Sequence, residues 1–288
     1  MKHALRLCVG IGLSVSAASG LLAQTPPPNA GPPKVLQIFR EEVKPGKAPA
    51  HQKWEMGWPK AFAKANWPTN YLTTVSVTGP SEAWFMTGYD SFAAWGKDIE
   101  GLDKNTAFKT EYDRLTQGDG EFLSGSRSIV GALREDLSTS VPVVLPTMRY
   151  FRVITFRVRL GHDSDFADAA KMIRAGYEKA NVQLAWATYQ IVSGMATPTF
   201  MVFLPMKSLD EIDTGLMNSK KLADAQGEEN QKKMAKMAAD GYLSVETNIY
   251  SFDPKMSYPA KDFAAADPEF WNPKPASPAK KPAAKPAQ

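Results

Sequence analysis

The sequence predicts an α+β fold built from two tandem β-α-β-β-α-β units packed sheet to sheet. Three observations predict it: the chain repeats itself, each copy has the same order of elements, and the strands carry apolar residues on both faces. Sliding the sequence by 115 residues places Val43, Lys44 and Gly46 on Val158, Arg159 and Gly161, and Lys64-Ala65-Asn66 on Lys179-Ala180-Asn181. The same ungapped shift sets Val77-Thr78-Gly79 on Val192-Ser193-Gly194 and Phe85-Met86 on Phe200-Met201. After a small insertion Ser91-Phe92 meets Ser208-Leu209, and the run from Gly120 to Ser124 resembles that from Asp240 to Ser244. The two copies are placed at residues 34–140 and 146–256.

Each element has a local reason. Val35 to Val43 and Tyr150 to Leu160 mix β-branched and aromatic residues with alternating polar ones, the pattern of strands with two differently used faces. A glycine turn then opens a helix, APAHQKWEMGWPKAFAKA in the first copy and DSDFADAAKMIRAGYEKA in the second. Pro59 lies inside the first and is expected to kink it, because proline has no amide to donate. Hairpins follow, Tyr71 to Val77 with Trp84 to Tyr89, then Trp186 to Val192 with Thr199 to Leu204. In the second copy the next helix opens at Ser208-Leu209-Asp210-Glu211, which reads as a capping box. Ser126 to Leu133 and Ser244 to Phe252 close the copies as last strands.

That order is the ferredoxin-like split βαβ arrangement. Helices cover one sheet face; the other, also rich in Phe, Ile, Val, Tyr and Trp, needs a second sheet against it. The V-K-P-G-K turn at Val43 to Lys47, the helix beginning Ala50-His51 and the WFMTGYDSFAAW segment from Trp84 to Trp95 complete the pattern. On these features both copies resemble the dimeric α/β-barrel superfamily in its fused, tandem form, and most closely its NIPSNAP-like and antibiotic-biosynthesis-monooxygenase-like branches. The resemblance implies an intrachain barrel. It leaves activity open, since such proteins include cofactor-free oxygenases, heme proteins, small-molecule lyases and members with no known activity.

Composition and the chain ends narrow the function classes. With 43% hydrophobic and 22% charged residues the chain can build a core. The formal charge is +4, but Lys2, Arg6, Lys274, Lys280, Lys281 and Lys285 sit at the ends. Setting these six of 34 basic residues aside leaves 28 against 30 acidic ones, a net of −2, so the body lacks the basic surface that nucleic acid needs. Residues 1–23 read as a secretory signal peptide cleaved near Ala23, which implies a secreted or periplasmic bacterial protein without stable membrane insertion. Cys8, the single cysteine, leaves with it, and with it go disulfides and thiolate chemistry. Residues 24–33 form a Pro-rich linker. Residues 257–288 are expected to be a disordered Pro/Ala/Lys-rich tail, with weak contact to an anionic envelope as its functional alternative.

Candidate chemistry is sparse. His51 and Glu55 stand four apart on the first helix and so share a face, either as an acid/base pair at the open end of the barrel or as an exposed surface pair. Phe166 and Ala170 hold the equivalent places in the second copy. His162 is expected to shape the turn that enters the second copy's first helix. On the first strands Phe39, Glu41 and Val43 have the parity that meets the helices, which turns Arg40, Glu42 and Arg157 toward the barrel interior, where they must pair, reach the rim or meet a ligand. Tyr71, Trp84, Tyr89, Trp186 and Tyr189 are the candidate aromatic walls of a ligand cavity, the competing reading being core packing. No metal site and no cofactor motif is found; the resemblance leaves heme, with His51 as axial ligand, as one option. The expected partner is a small, partly apolar organic molecule, with the chain alone or as a homo-oligomer. An enzyme using His51 and Glu55, a cofactor-independent monooxygenase or isomerase in character, is the alternative.

Overall fold

The computed structural model describes residues 31–272. The expected signal peptide, residues 24–30 of the expected linker and residues 273–288 of the expected tail lie outside the described residues. The first copy runs β1 (Val35–Val43), α1 (Ala48–Glu55), α2 (Trp58–Ala65), β2 (Leu72–Ser76), β3 (Glu82–Tyr89), α3 (Phe92–Lys104), α4 (Thr106–Asp119) and β4 (Leu123–Leu133). The second runs β5 (Tyr150–Val158), α5 (Asp163–Lys179), β6 (Ala187–Ser193), β7 (Thr199–Met206), α6 (Glu211–Gly241) and β8 (Tyr242–Phe252). Two short helices follow, α7 (Lys261–Ala265) and α8 (Pro268–Trp271).

The eight strands close into one antiparallel barrel in the order β1-β3-β2-β8-β5-β7-β6-β4. Each copy contributes four adjacent strands, and the seams are β2 against β8 (Thr74 opposite Phe252) and β4 against β6 (Leu133 opposite Tyr189). Closure removes every sheet edge that would otherwise need covering. The first strand and helix of the two copies keep the 115-residue shift: both strands bulge at the same place, Glu42/Val43 and Arg157/Val158. Gly46 and Gly161 share φ values of 76° and 88°, left-handed geometry in which glycine is at ease, before helices starting at Ala48 and Asp163.

Four expectations are corrected. Pro59 does not kink one helix; the helix stops at Glu55 and α2 begins at Trp58, with Pro59 in the first turn, where its missing amide has no intrahelical partner to lose. The capping box does not form, because α6 starts at Glu211 itself, whose carboxylate accepts the Lys207 amide at 2.7 Å. Phe85 and Phe200 are not equivalent: Leu72 faces Met86 but Ala187 faces Phe203, so the second hairpin holds two more residues between matching pairs. Residues 257–272 are not a disordered tail. They carry Phe263 and Trp271, which are buried with Phe252 and Met148 in the barrel cluster, and the Trp271 indole donates to the Pro146 carbonyl at 2.8 Å. Arg149 anchors the same segment through Asp267 at 2.5 Å and lies over the Phe270 ring. The apolar residues of this stretch outweigh its Pro and Ala content.

The barrel interior is divided. At one end Leu36, Met86, Phe151 and Phe203 line an apolar space; at the other stand Arg40, Glu42, Glu82 and Arg127. Among the described residues no helix is long and apolar enough to cross a membrane.

Candidate functional site

Between the sheet of the first copy and the helices that cover it lies a buried polar cluster. Glu41 enters from β1, on the helix-facing parity; His51 and Glu55 descend from α1 one turn apart; Asp119 is the last residue of α4. Exposure is 3% for Glu41, 2% for His51, 1% for Glu55 and 4% for Asp119. His51 Nε2 lies 2.7 Å from Glu41 Oε2 and 3.8 Å from Glu55 Oε1. Glu41 therefore orients the imidazole. The pair of His51 with Glu55 predicted from spacing is present on one helix face, but it is neither exposed nor at the open end of the barrel: α1 lies against the outer face of the sheet and covers both side chains.

Burial governs the electrostatics. It pushes the Glu55 carboxyl up to about 11, helped by the hydrogen bond to Asp119 and the charge of Glu41, so Glu55 keeps its proton and donates it to Asp119. Burial also pushes Asp119 up, with the Glu55 hydrogen bond pulling the other way, and pushes Glu41 up against its hydrogen bond to His51. Among the described residues, His51 is the only basic side chain within ion-pair distance of these carboxyls. Glu55 Oε1, Asp119 Oδ1 and the Tyr71 hydroxyl are buried without a hydrogen-bond partner. Burial, followed by the charge that Glu55 carries once it ionises, raises the Tyr71 hydroxyl well above the ordinary tyrosine value.

Sequence reading missed Glu41 and Asp119. Glu41 carried a usable signal, a carboxylate between Phe39 and Val43 on the parity that meets the helices, aligned with Phe156 in the second copy. Asp119 carried none, because its approach depends on how α4 packs against α1 and α2.

The second feature is a cavity of about 510 Å³ at the apolar end of the barrel. Tyr71, Trp186 and Tyr189 line it, together with Leu36, Phe151 and Phe203. Tyr189 donates to the Pro33 carbonyl at 2.9 Å and Trp186 to the Leu137 carbonyl at 2.8 Å, so the polar tips of both rings are already satisfied. The other residues singled out lie elsewhere. Arg40 is inside the barrel and pairs with Glu82, which also accepts from the Trp84 indole at 2.8 Å and the Tyr250 hydroxyl at 3.3 Å. Trp84 lies over Tyr250, with ring centroids 4.1 Å apart. Glu42 pairs with Arg127 at 2.9 Å near the rim, and Arg157 is exposed. Tyr89 faces the helices, donating to Asp98 at 2.9 Å. His162 Nδ1 donates to Asp165 at 2.7 Å in the turn into α5.

Heme does not fit at His51. The ring nitrogen that would bind iron points at Glu41, the Phe122 ring lies edge-on at 6.3 Å, and the 510 Å³ cavity does not include His51. Glu41, His51 and Glu55, by contrast, bring one donor atom each to within 4.8 Å of one another, a spacing that could hold a metal ion.

No family model matches the sequence, and no curated protein matches it. Solved structures do match. An anthrone oxidase-like protein superposes with a TM-score of 0.51 at 15% identity, covering 79% of this chain and 95% of its own. A mutant chlorite dismutase from Candidatus Nitrospira defluvii, in complex with cyanide, gives 0.45 at 11% identity over 78% and 92% of the two chains. A NIPSNAP family protein from Agrobacterium tumefaciens str. C58 gives 0.30 at 15% identity, covering 37% of this chain and 90% of its own. At such identities the likeness establishes the fold alone: an α+β chain whose eight antiparallel strands close into a barrel.

Proposed function

We propose that this protein binds a small, predominantly apolar organic molecule in the cavity at the apolar end of the barrel. The observation that carries this reading is the cavity itself. Its volume of about 510 Å³ falls within the range of small-molecule sites, and its walls are aromatic and aliphatic, with a few polar groups such as Asn70, Thr139 and Ser140. Occupancy is tested with the apolar fluorophore 1-anilinonaphthalene-8-sulfonate. Saturable one-site binding that Ala187→Trp abolishes by filling the space supports the reading; equal binding to that variant overturns it.

A second reading is favoured by the Glu41–His51 contact: a cofactor-independent oxygenase or isomerase in which His51 moves a proton and Glu41, rather than Glu55, orients it. His51→Ala would then abolish turnover of a substrate admitted beneath α1 while leaving fluorophore binding in the cavity intact; undiminished turnover would exclude it. The reading extends to the whole chain as two units, 34–140 and 146–256, behind a leader removed near Ala23 and followed by a Lys-rich end that touches an anionic envelope. N-terminal sequencing of the exported protein tests the leader. Deletion of residues 273–288 tests the envelope contact, which should disappear.

A further inference from the structure

We infer that Glu41, His51 and Glu55 form a binding site for one divalent transition-metal cation, with Asp119 as the carboxylate behind Glu55. The inference is independent of what occupies the barrel cavity.

Four observations converge. First, the donor set suits the chemistry: one imidazole nitrogen and two carboxylates select a first-row divalent ion such as Zn²⁺ or Mn²⁺ over Mg²⁺, which favours oxygen ligands and water. Second, the atoms are close enough. Ligands about 2.0–2.2 Å from such a cation stand roughly 3–4 Å apart, and His51 Nε2 is 2.7 Å from Glu41 Oε2 and 3.8 Å from Glu55 Oε1. A cation would take the place that a shared proton holds between His51 and Glu41.

Third, polar atoms around this point lack partners. Tyr71 is 7% exposed, belongs to neither α1 nor β1, and its hydroxyl has no hydrogen bond while lying within electrostatic reach of Glu55. Buried orphan groups of this kind are rare and call for a water or ion. Fourth, the fold does not require the cluster. In the second copy Glu41, His51 and Glu55 are replaced by Phe156, Phe166 and Ala170, which pack as an apolar core on the same scaffold.

The test uses the full processed chain, dialysed against a chelator and titrated with Zn²⁺ and Mn²⁺ against a chromophoric competitor. One equivalent is expected to bind, with affinity reduced at least a hundredfold in Glu41→Gln and in His51→Asn, and the thermal midpoint is expected to rise on loading the wild type only. Since a variant could fail by misfolding, Glu55→Gln provides the control: it preserves shape and neutral charge, so circular dichroism should match the wild type while metal affinity falls. Absence of stoichiometric binding by the wild type overturns the inference, as does undiminished binding by the three variants together.

Discussion

The two copies solve the same packing problem in opposite ways. Where α5 meets the sheet of the second copy, Phe166 stacks on Phe200 with centroids 4.1 Å apart, Phe156 lies 5.2 Å from Phe166, and Leu137 and Val158 complete a dry core. Where α1 meets the sheet of the first copy, the equivalent positions hold Glu41, His51 and Glu55, and the residue opposite Glu41 is the small Ala83 rather than a phenylalanine. Burying several ionisable groups is unfavourable unless they are paired and hydrogen bonded, and here some atoms are left over. The second copy shows that stability alone would be served by hydrocarbon. The first copy carries a polar cluster that folding does not need, which is the pattern expected of a site.

The largest test of this contrast moves charge into the dry copy. Phe156→Glu would bury a carboxylate with no partner between α5 and the sheet, and a loss of about 3–5 kcal/mol in denaturant unfolding is expected; a loss under about 1 kcal/mol would mean that this interface opens readily to water. The converse graft, Glu41→Phe with His51→Phe, Glu55→Ala and Asp119→Ala, should stabilise the metal-free protein by about 1–4 kcal/mol. Destabilisation would assign the cluster a structural role and dissolve the contrast.

The third test is titration of the metal-free protein. Glu55 in the folded state holds its proton up to about 11, against an ordinary carboxyl value of 4.5. Between those values the folded state binds a proton that the unfolded state has released. Stability from this group is therefore complete below 4.5 and declines as pH rises toward 11. The slope for one proton is at most about 1.4 kcal/mol per pH unit, and Glu41 and Asp119, both shifted upward, act with the same sign. Denaturation midpoints measured between about pH 5.5 and 8 should fall with pH and flatten in Glu55→Gln. The smallest effect is expected from Tyr71→Phe, which removes an unpartnered hydroxyl: a change within about 1 kcal/mol, neutral or stabilising. A clear loss would reveal a partner for that hydroxyl.

Much of the architecture was legible because it rests on local pattern. The alternation from Val35 to Val43 marks the first strand with the bounds that the structure has, and turns Arg40 inward and Glu41 toward the helices. Arg40 then had to be paired, yet its partner Glu82 escaped notice, since the expected strand began at Trp84 and left Glu82 in the turn. An ungapped match sets the hairpin of the second copy two residues out of register, because it cannot see a longer turn. The site was legible in half: His51 and Glu55 announce themselves by helical spacing, while Glu41 and Asp119 reach them from a strand and from a helix 64 residues beyond Glu55.

By itself the sequence determined the repeat, the element order, the parity of the strands and the asymmetry that places histidine and glutamate where the other copy has phenylalanine and alanine. These follow from period-2 and period-3.6 patterns and from matching residues, which are local along the chain. Only the tertiary structure decided which strands meet at the two seams of the barrel, that residues 257–271 pack into its end instead of trailing in solvent, and that Glu41 and Asp119 join His51 and Glu55 under α1. Those outcomes depend on contacts between residues far apart in the chain, where burial and pairing, and not local propensity, set the free energy.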